Sequence, residues 1–343
     1  MFAMDISYIW AWDTFGASFN HMVEAYVIGA IVYASLFGLM SLGLTLTYLT
    51  TKVPNFAYGS FVTVGMYVSY TFNILYKVSA YVSAPAAFLF GGCCSVAMYL
   101  IVLRTLAKRG SSLVSLMIAT LAVDIGFLGI FGMYTDYFAA RYRLVTAKVI
   151  YQFPDFDLWG LPGLFYVGPI SLAIVSAVLF LLLTRTRFGV SMRASVENPN
   201  LARVLGINVE RVYTFAWFLA GGFAALSGSY YILWLQGGID AGSGLIVEIF
   251  AASVLGGLAS IYGAMLGGLI VGASEVLVTT ALVQNIAPWF SLYQKGIPLV
   301  IMIITLLILP EGLVSIDWIM VVRRRVSSAL DLLESIVRSL RMR

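Results

Sequence analysis

Long apolar runs, each closed by a short polar break, make up most of this chain. A run that crosses about 30 Å of hydrocarbon needs roughly 17–25 residues. Candidate spans stand at 24–49, 56–76, 81–103, 111–133, 165–183, 212–235, 245–260, 261–283 and 292–309. The seventh is short, and only Ser260-Ile261-Tyr262-Gly263 separates it from the eighth. That pair reads as a tight hairpin, a re-entrant pair or one broken element. The pattern therefore predicts an all-α, polytopic membrane helix bundle of eight or nine spans with discontinuous helices.

The breaks carry the chemistry. In the first, 51–60, Pro54 disfavours helix at Val53, and Asn55 is placed to cap a helix that starts at Phe56. A helix N-terminus has unpaired N–H groups and the positive end of the dipole. Transporters set such ends near anionic solute groups; the plain alternative is a capped turn. Asn55, Phe56, Gly59 and Ser60 are thus candidate solute-path residues. A second glycine-rich break covers 236–244. Breaks at comparable points of oppositely oriented halves would fit an inverted repeat, although no residue-level repeat is visible.

The charged stretch 184–212, set between two long apolar runs, contains its own helix. Asn198 is a good N-cap, Pro199 suits the first helical position, and Gly206 suits a left-handed stop. Pro199 to Leu205 make roughly two turns, with Leu201, Val204 and Leu205 on one face and Asn200 and Arg203 on another. So short a helix needs something to dock against. It is either a connector on the membrane surface or a knob for a partner's cleft.

Composition sharpens the class. Hydrophobic residues make up 61% and charged residues 10%, and the mean hydropathy is +0.95, so the surface faces lipid rather than water. The net charge of +4 does not imply nucleic acid, because the basic residues sit in loops and the tail. Read as topology, the clusters at 104–109, 185–211 and 323–343 belong on the cytoplasmic side. Nine spans, with the N-terminus outside and the C-terminus inside, satisfy all three clusters. The N-terminal segment 1–23 is then external or interfacial, without a signal-peptide n-region. The permease domain is 24–321, with loop 134–164 external and loop 184–211 cytoplasmic. The tail 322–343 is a basic amphipathic helix that lies on the inner membrane surface or meets a cytoplasmic subunit. The aromatic-rich loop 134–164 either anchors at the interface or receives a soluble partner.

Within the spans, Asp124, Glu248 and Glu275 are costly unless they face protein or water, so each is a site candidate or a structural pair. Gly263/Gly267, Gly268/Gly272 and Gly126/Gly129/Gly132 offer small-residue faces for close packing. Adjacent Cys93 and Cys94 form no disulfide framework. There is no nucleotide-binding loop, zinc motif or nucleophile elbow. The sequence therefore predicts no enzyme, no metal and no cofactor within the chain; the energy for active transport must come from an ion gradient or another subunit.

The residues Arg187-Phe188-Gly189, Arg193-Ala194, and Glu197-Asn198-Pro199 followed by Leu201-Ala202-Arg203 and Leu205-Gly206-Ile207-Asn208-Val209 resemble the coupling segment of ABC importer permeases of the branched-chain amino acid/urea type. Asn55-Phe56-Ala57 with Gly59-Ser60 also resembles that family. So do Val254-Leu255-Gly256-Gly257-Leu258 with Ser260-Ile261, Gly263-Ala264 and Leu266-Gly267-Gly268, and Pro310 with Gly312-Leu313. Tyr262 stands where the pattern has proline. The resemblance implies a multi-pass permease of a prokaryotic inner membrane, paired with a second similar permease or a second copy. It further implies two cytoplasmic ATP-binding subunits, which use the ATP, and an external substrate-binding protein. Glu197, Asn198, Pro199, Leu201, Ala202, Arg203, Leu205 and Gly206 would then form the ATPase-coupling helix. Branched-chain or other hydrophobic amino acids are the implied solutes, with urea or short amides as the alternative. An ion-coupled secondary transporter is the alternative from another class.

Overall fold

The computed structural model describes residues 7–143, 148–150 and 152–315, with side chains from 26 to 314. The regular structure of the described residues is helical but for two short strand pairs, each strand of two residues. In order, the helices are α1 (Ser7–Thr51), α2 (Tyr58–Tyr76), α3 (Ala80–Met98), α4 (Arg104–Lys108), α5 (Leu113–Tyr142), α6 (Gly163–Arg185) and α7 (Arg187–Glu197). Then follow α8 (Pro199–Val204), α9 (Val209–Trp234), α10 (Ala241–Gly244), α11 (Ile246–Gly256), α12 (Ile261–Asn285) and α13 (Gly296–Ile308). A π turn at Tyr99–Leu103 joins α3 to α4 without a break. No helix boundary marks residue 24, because α1 already runs from Ser7. The amphipathic tail lies outside the described residues.

Among the described residues, 6 helices are long and apolar enough to cross a membrane: Tyr26–Thr51, Ala80–Lys108, Leu113–Tyr142, Gly163–Arg185, Val209–Trp234 and Ile261–Asn285. The remaining predicted spans fall short for two different physical reasons. Helix α2 has the length, 19 residues, but carries serines, threonines and tyrosines. It tolerates them because protein surrounds it: nearly every residue from Tyr58 to Tyr70 is buried. Polar side chains in a bilayer face protein rather than lipid. Helices α11 and α13 are instead short, at 11 and 13 residues. At 1.5 Å per residue these are only roughly 16–20 Å long.

Helix α1 packs along α12, and α9 packs against both α3 and α2, which also touch each other. Glycine sets how closely they approach. A Cβ at Gly65 or Gly228 would collide with backbone of the facing helix, at Ala225 and Val62 respectively. Gly268 and Gly272 face the α1 backbone at Phe37–Gly38 and Tyr33–Ala34, and Gly263 and Gly267 face α11. These two predicted faces are therefore packing surfaces. The third differs: a Cβ at Gly126, Gly129 or Gly132 on α5 would meet no atom within 4 Å. Helix α5 stands at the edge of the described bundle, so its small residues face outward.

The seventh and eighth predicted spans form a tight antiparallel hairpin. Gly256 meets Gly263 and Ala252 meets Gly267, with the turn made by Gly257 at φ +99°. Ser260 caps α12 by accepting from the Gly263 N–H at 3.1 Å.

Two of the three basic clusters share one end of the bundle. Arg104 and Lys108 both pair with Glu210 at the start of α9. At the opposite end, Val149–Ile150 pairs antiparallel with Gly237–Gly238, tying the loop after α5 to the break after α9. Asp155 orders the rest of that loop by accepting from the Tyr81 hydroxyl at 2.9 Å and the Leu164 N–H at 2.7 Å.

Candidate functional site

The two sequence breaks meet in space. After Thr51 the chain turns through Pro54, and the Asn55 Oδ1 accepts from the Ala57 N–H at 3.1 Å. Helix α2 begins only at Tyr58, two residues later than Asn55-capping predicts, because Asn55 closes a local turn instead of capping the helix. The Tyr58 hydroxyl donates to Ala220 O at 3.3 Å. Ala220 lies about three turns inside α9, so α2 starts deep in the bundle.

Down to that depth comes the second break. Gly59 and Gly242 face each other so closely that a Cβ on either would enter the other's carbonyl. The Gly242 N–H donates to Thr63 Oγ1 at 3.0 Å. Asp124 joins the two breaks from α5: its Oδ1 accepts from Ser60 Oγ at 2.5 Å and from Ser243 Oγ at 2.9 Å. Nearby, the Phe56 N–H donates to Thr120 Oγ1 at 3.2 Å. The Phe56 ring lies 5.4 Å from that of Phe250. Asn55 is buried, and its Nδ2 has no partner. Asn55, Phe56, Gly59 and Ser60 thus lie together in a polar node within the bundle, with Asp124 at its centre.

Glu248 lies apart from that node, on the first turn of α11, 1% exposed. Neither of its carboxylate oxygens has a hydrogen-bond partner. Glu275 on α12 is equally buried and accepts from Gln294 Nε2 at 2.9 Å. Because Glu275 lies about three turns inside the end of α12, segment 286–295 folds back along that helix. It delivers Lys295, whose Nζ donates to Gly244 O at 3.0 Å and reaches within 3.9 Å of Glu248 Oε1. Sequence reasoning missed Lys295 and Gln294. Lys295 was the available signal, a lysine inside the ninth apolar run.

The predicted coupling stretch forms as its capping residues dictate, one residue shorter than expected, as Pro199–Val204. Asn198 Oδ1 accepts from the Leu201 N–H at 3.0 Å. Gly206 stops the helix at φ +83°, a conformation open to glycine at little cost. Ala202 is buried, whereas Leu201, Val204 and Leu205 are 55%, 83% and 70% exposed. Glu197 ends a helix that the sequence pattern did not predict, α7. Thr186 caps that helix, accepting from the Gly189 N–H at 3.3 Å. Arg203 lines a cavity of about 380 Å³ together with Arg104, Lys108 and Glu210. The short helix is therefore backed by the ion-paired ends of α4 and α9 and presents its apolar face outward.

No group of three or more His, Cys, Asp and Glu that could hold a metal occurs among the described residues. Residues 26–306 match the family described as branched-chain amino acid transport system, permease component. The chain belongs to this family. It is similar to the probable branched-chain amino acid transport permease protein LivH of Methanocaldococcus jannaschii, 43% identical across 84% of this chain and 92% of that one. It is also similar to the permease BraD of Pseudomonas aeruginosa, described as part of a high-affinity branched-chain amino acid transport system, at 25% identity over 85% and 95%. The autoinducer 2 import system permease LsrC of Yersinia enterocolitica is 33% identical over 50% of this chain and 49% of its own length. No solved structure matches. The protein is accordingly a multi-pass membrane permease component of the branched-chain amino acid ABC transport type, and not an enzyme.

Proposed function

We propose that this permease carries branched-chain or other hydrophobic amino acids by alternating access, driven by two separate cytoplasmic ATPase subunits. The observation that carries the coupling assignment is α8, a capped helix of six residues whose apolar side chains stand exposed. An isolated helix of this length is unstable in water; here Asn198 and Gly206 fix its ends, and the α4–α9 ion pairs lie behind it. Glu197 to Gly206 are the segment that enters the ATPase cleft. A second permease, homologous or identical, completes the bundle, and an external binding protein delivers the solute.

In this reading the N-terminus is outside and the C-terminus inside, with nine crossings. Two of these consist of a descending polar segment followed by a half-length helix, 235–256 and 286–308. The basic clusters around Arg104 and Arg193 then face the cytoplasm, in keeping with positive-inside charge. The node of Asn55, Phe56, Gly59 and Ser60 and the buried Glu248 line the route of the solute.

Uptake by the reconstituted complex tests the coupling assignment. Arg203→Glu reverses a charge beside the Arg104–Glu210 pair, and Gly206→Pro demands a φ near −65° where the chain has +83°. Both variants are expected to insert and to lose uptake. Uptake at the wild-type rate by both would refute the assignment.

A further inference from the structure

Glu248 and Lys295 form an unusual pair. Glu248 is almost wholly buried, and neither carboxylate oxygen receives a hydrogen bond. A buried ionised carboxylate in a membrane protein needs a partner. The nearest cation, Lys295, stops at 3.9 Å and donates its described hydrogen bond to Gly244 O. Its side chain is 66% exposed. The acid is thus sealed inside, and the cation covers it from the open side. Behind them Glu275 keeps one oxygen unpaired, and the phenols of Tyr33 and Tyr231 lie within electrostatic reach of both acids. The site is assembled from α1, α9, α10, α11, α12 and the segment before α13.

We propose that Glu248 and Lys295 grip the zwitterionic head of a free α-amino acid, Glu248 taking the ammonium and Lys295 the carboxylate. This deepens the functional reading above and rests on it. Lysine carries its charge on a flexible four-carbon stem. Its ammonium can therefore leave the approach to Glu248 while a solute ammonium enters and makes the hydrogen bonds that the acid lacks. The displaced lysine then pairs with the solute's carboxylate, so the buried acid is never left alone. Glu275, equally buried and with one oxygen unpaired, adds a second acceptor on the same side, which fixes the orientation with the ammonium held deeper. Gly244 permits the approach: a Cβ there would lie 3.2 Å from Lys295 Nζ. The arrangement selects by head group. An uncharged amide or urea satisfies neither ion, and an amine or a carboxylic acid satisfies one and strands the other.

The test uses the complete complex in vesicles with internal ATP and radiolabelled leucine as the probe. Glu248→Gln keeps the shape and removes the charge; Lys295→Met removes the ammonium from an exposed stem. Each is expected to lower leucine uptake by about tenfold or more in complexes that co-purify intact. In the double variant Glu248→Lys with Lys295→Glu, a purely structural ion pair would be restored, whereas a site oriented by Glu275 stays defective. Leucine uptake at the wild-type rate in either single variant, or recovery of uptake in the double variant, would overturn the proposal. Should Glu248→Gln fail to assemble, Lys295→Met decides, since its side chain holds no buried position. A wild-type complex that moves urea or acetamide but no amino acid would instead overturn the functional reading itself.

Discussion

Replacing Gly242 by alanine tests whether the meeting of the two breaks holds the centre of the bundle. An added Cβ would lie 2.5 Å from Thr63 Oγ1 and still nearer the Gly59 carbonyl oxygen. Both neighbours belong to α2, which is buried on all sides here and cannot retreat. The 240–244 segment must therefore move away by about 1 Å or more to restore ordinary contact. That shift breaks the Gly242 N–H bond to Thr63 and the Ser243 bond to Asp124, now 3.0 and 2.9 Å. Overpacking of this kind costs about 1–3 kcal/mol, and a lost hydrogen bond to a charged group costs about 1.5–3 kcal/mol. The combined loss, roughly 2.5–6 kcal/mol, is a large fraction of a typical folding free energy. Thermal unfolding of the purified complex together with leucine uptake measures it, and both are expected to fall. Gly126→Ala is the control, because nothing lies within 4 Å of its added methyl. There the helix is expected to gain about 0.5–1 kcal/mol. Equal unfolding temperatures for the two variants would refute the packing argument.

Two further outcomes follow from the hydrogen bonds. Ser60 and Ser243 donate to the same Asp124 oxygen, so the stability losses of Ser60→Ala and Ser243→Ala are expected to be non-additive by about 0.5 kcal/mol or more in a double-mutant cycle; strict additivity would mean that Asp124 does not join them. Asn198→Ala removes the cap on the Leu201 N–H, costing α8 about 1 kcal/mol. Uptake is expected to drop, and Asn198→Asp, which keeps the acceptor, to restore it; an alanine variant with full uptake would show that α8 needs no cap.

Local chemistry was readable from the chain alone. Asn198, Pro199 and Gly206 specified the short helix to within one residue, because caps and left-handed stops depend on neighbours in sequence. The long apolar runs likewise announced a membrane bundle, since lipid imposes its length requirement on each helix separately. The hairpin at 256–263 was one of several readings that the short interval allowed, and only packing selected it. Tertiary structure also decided which polar groups meet. That Gly242 and Ser243 descend to Gly59, Ser60 and Asp124, and that Lys295 folds back towards Glu248, depends on contacts between residues far apart in the chain. Glycine spacing shows the same division. Gly268 and Gly126 look alike in sequence, yet one meets the α1 backbone and the other faces outward. A missing side chain permits close approach, and only the fold supplies the neighbour that uses it.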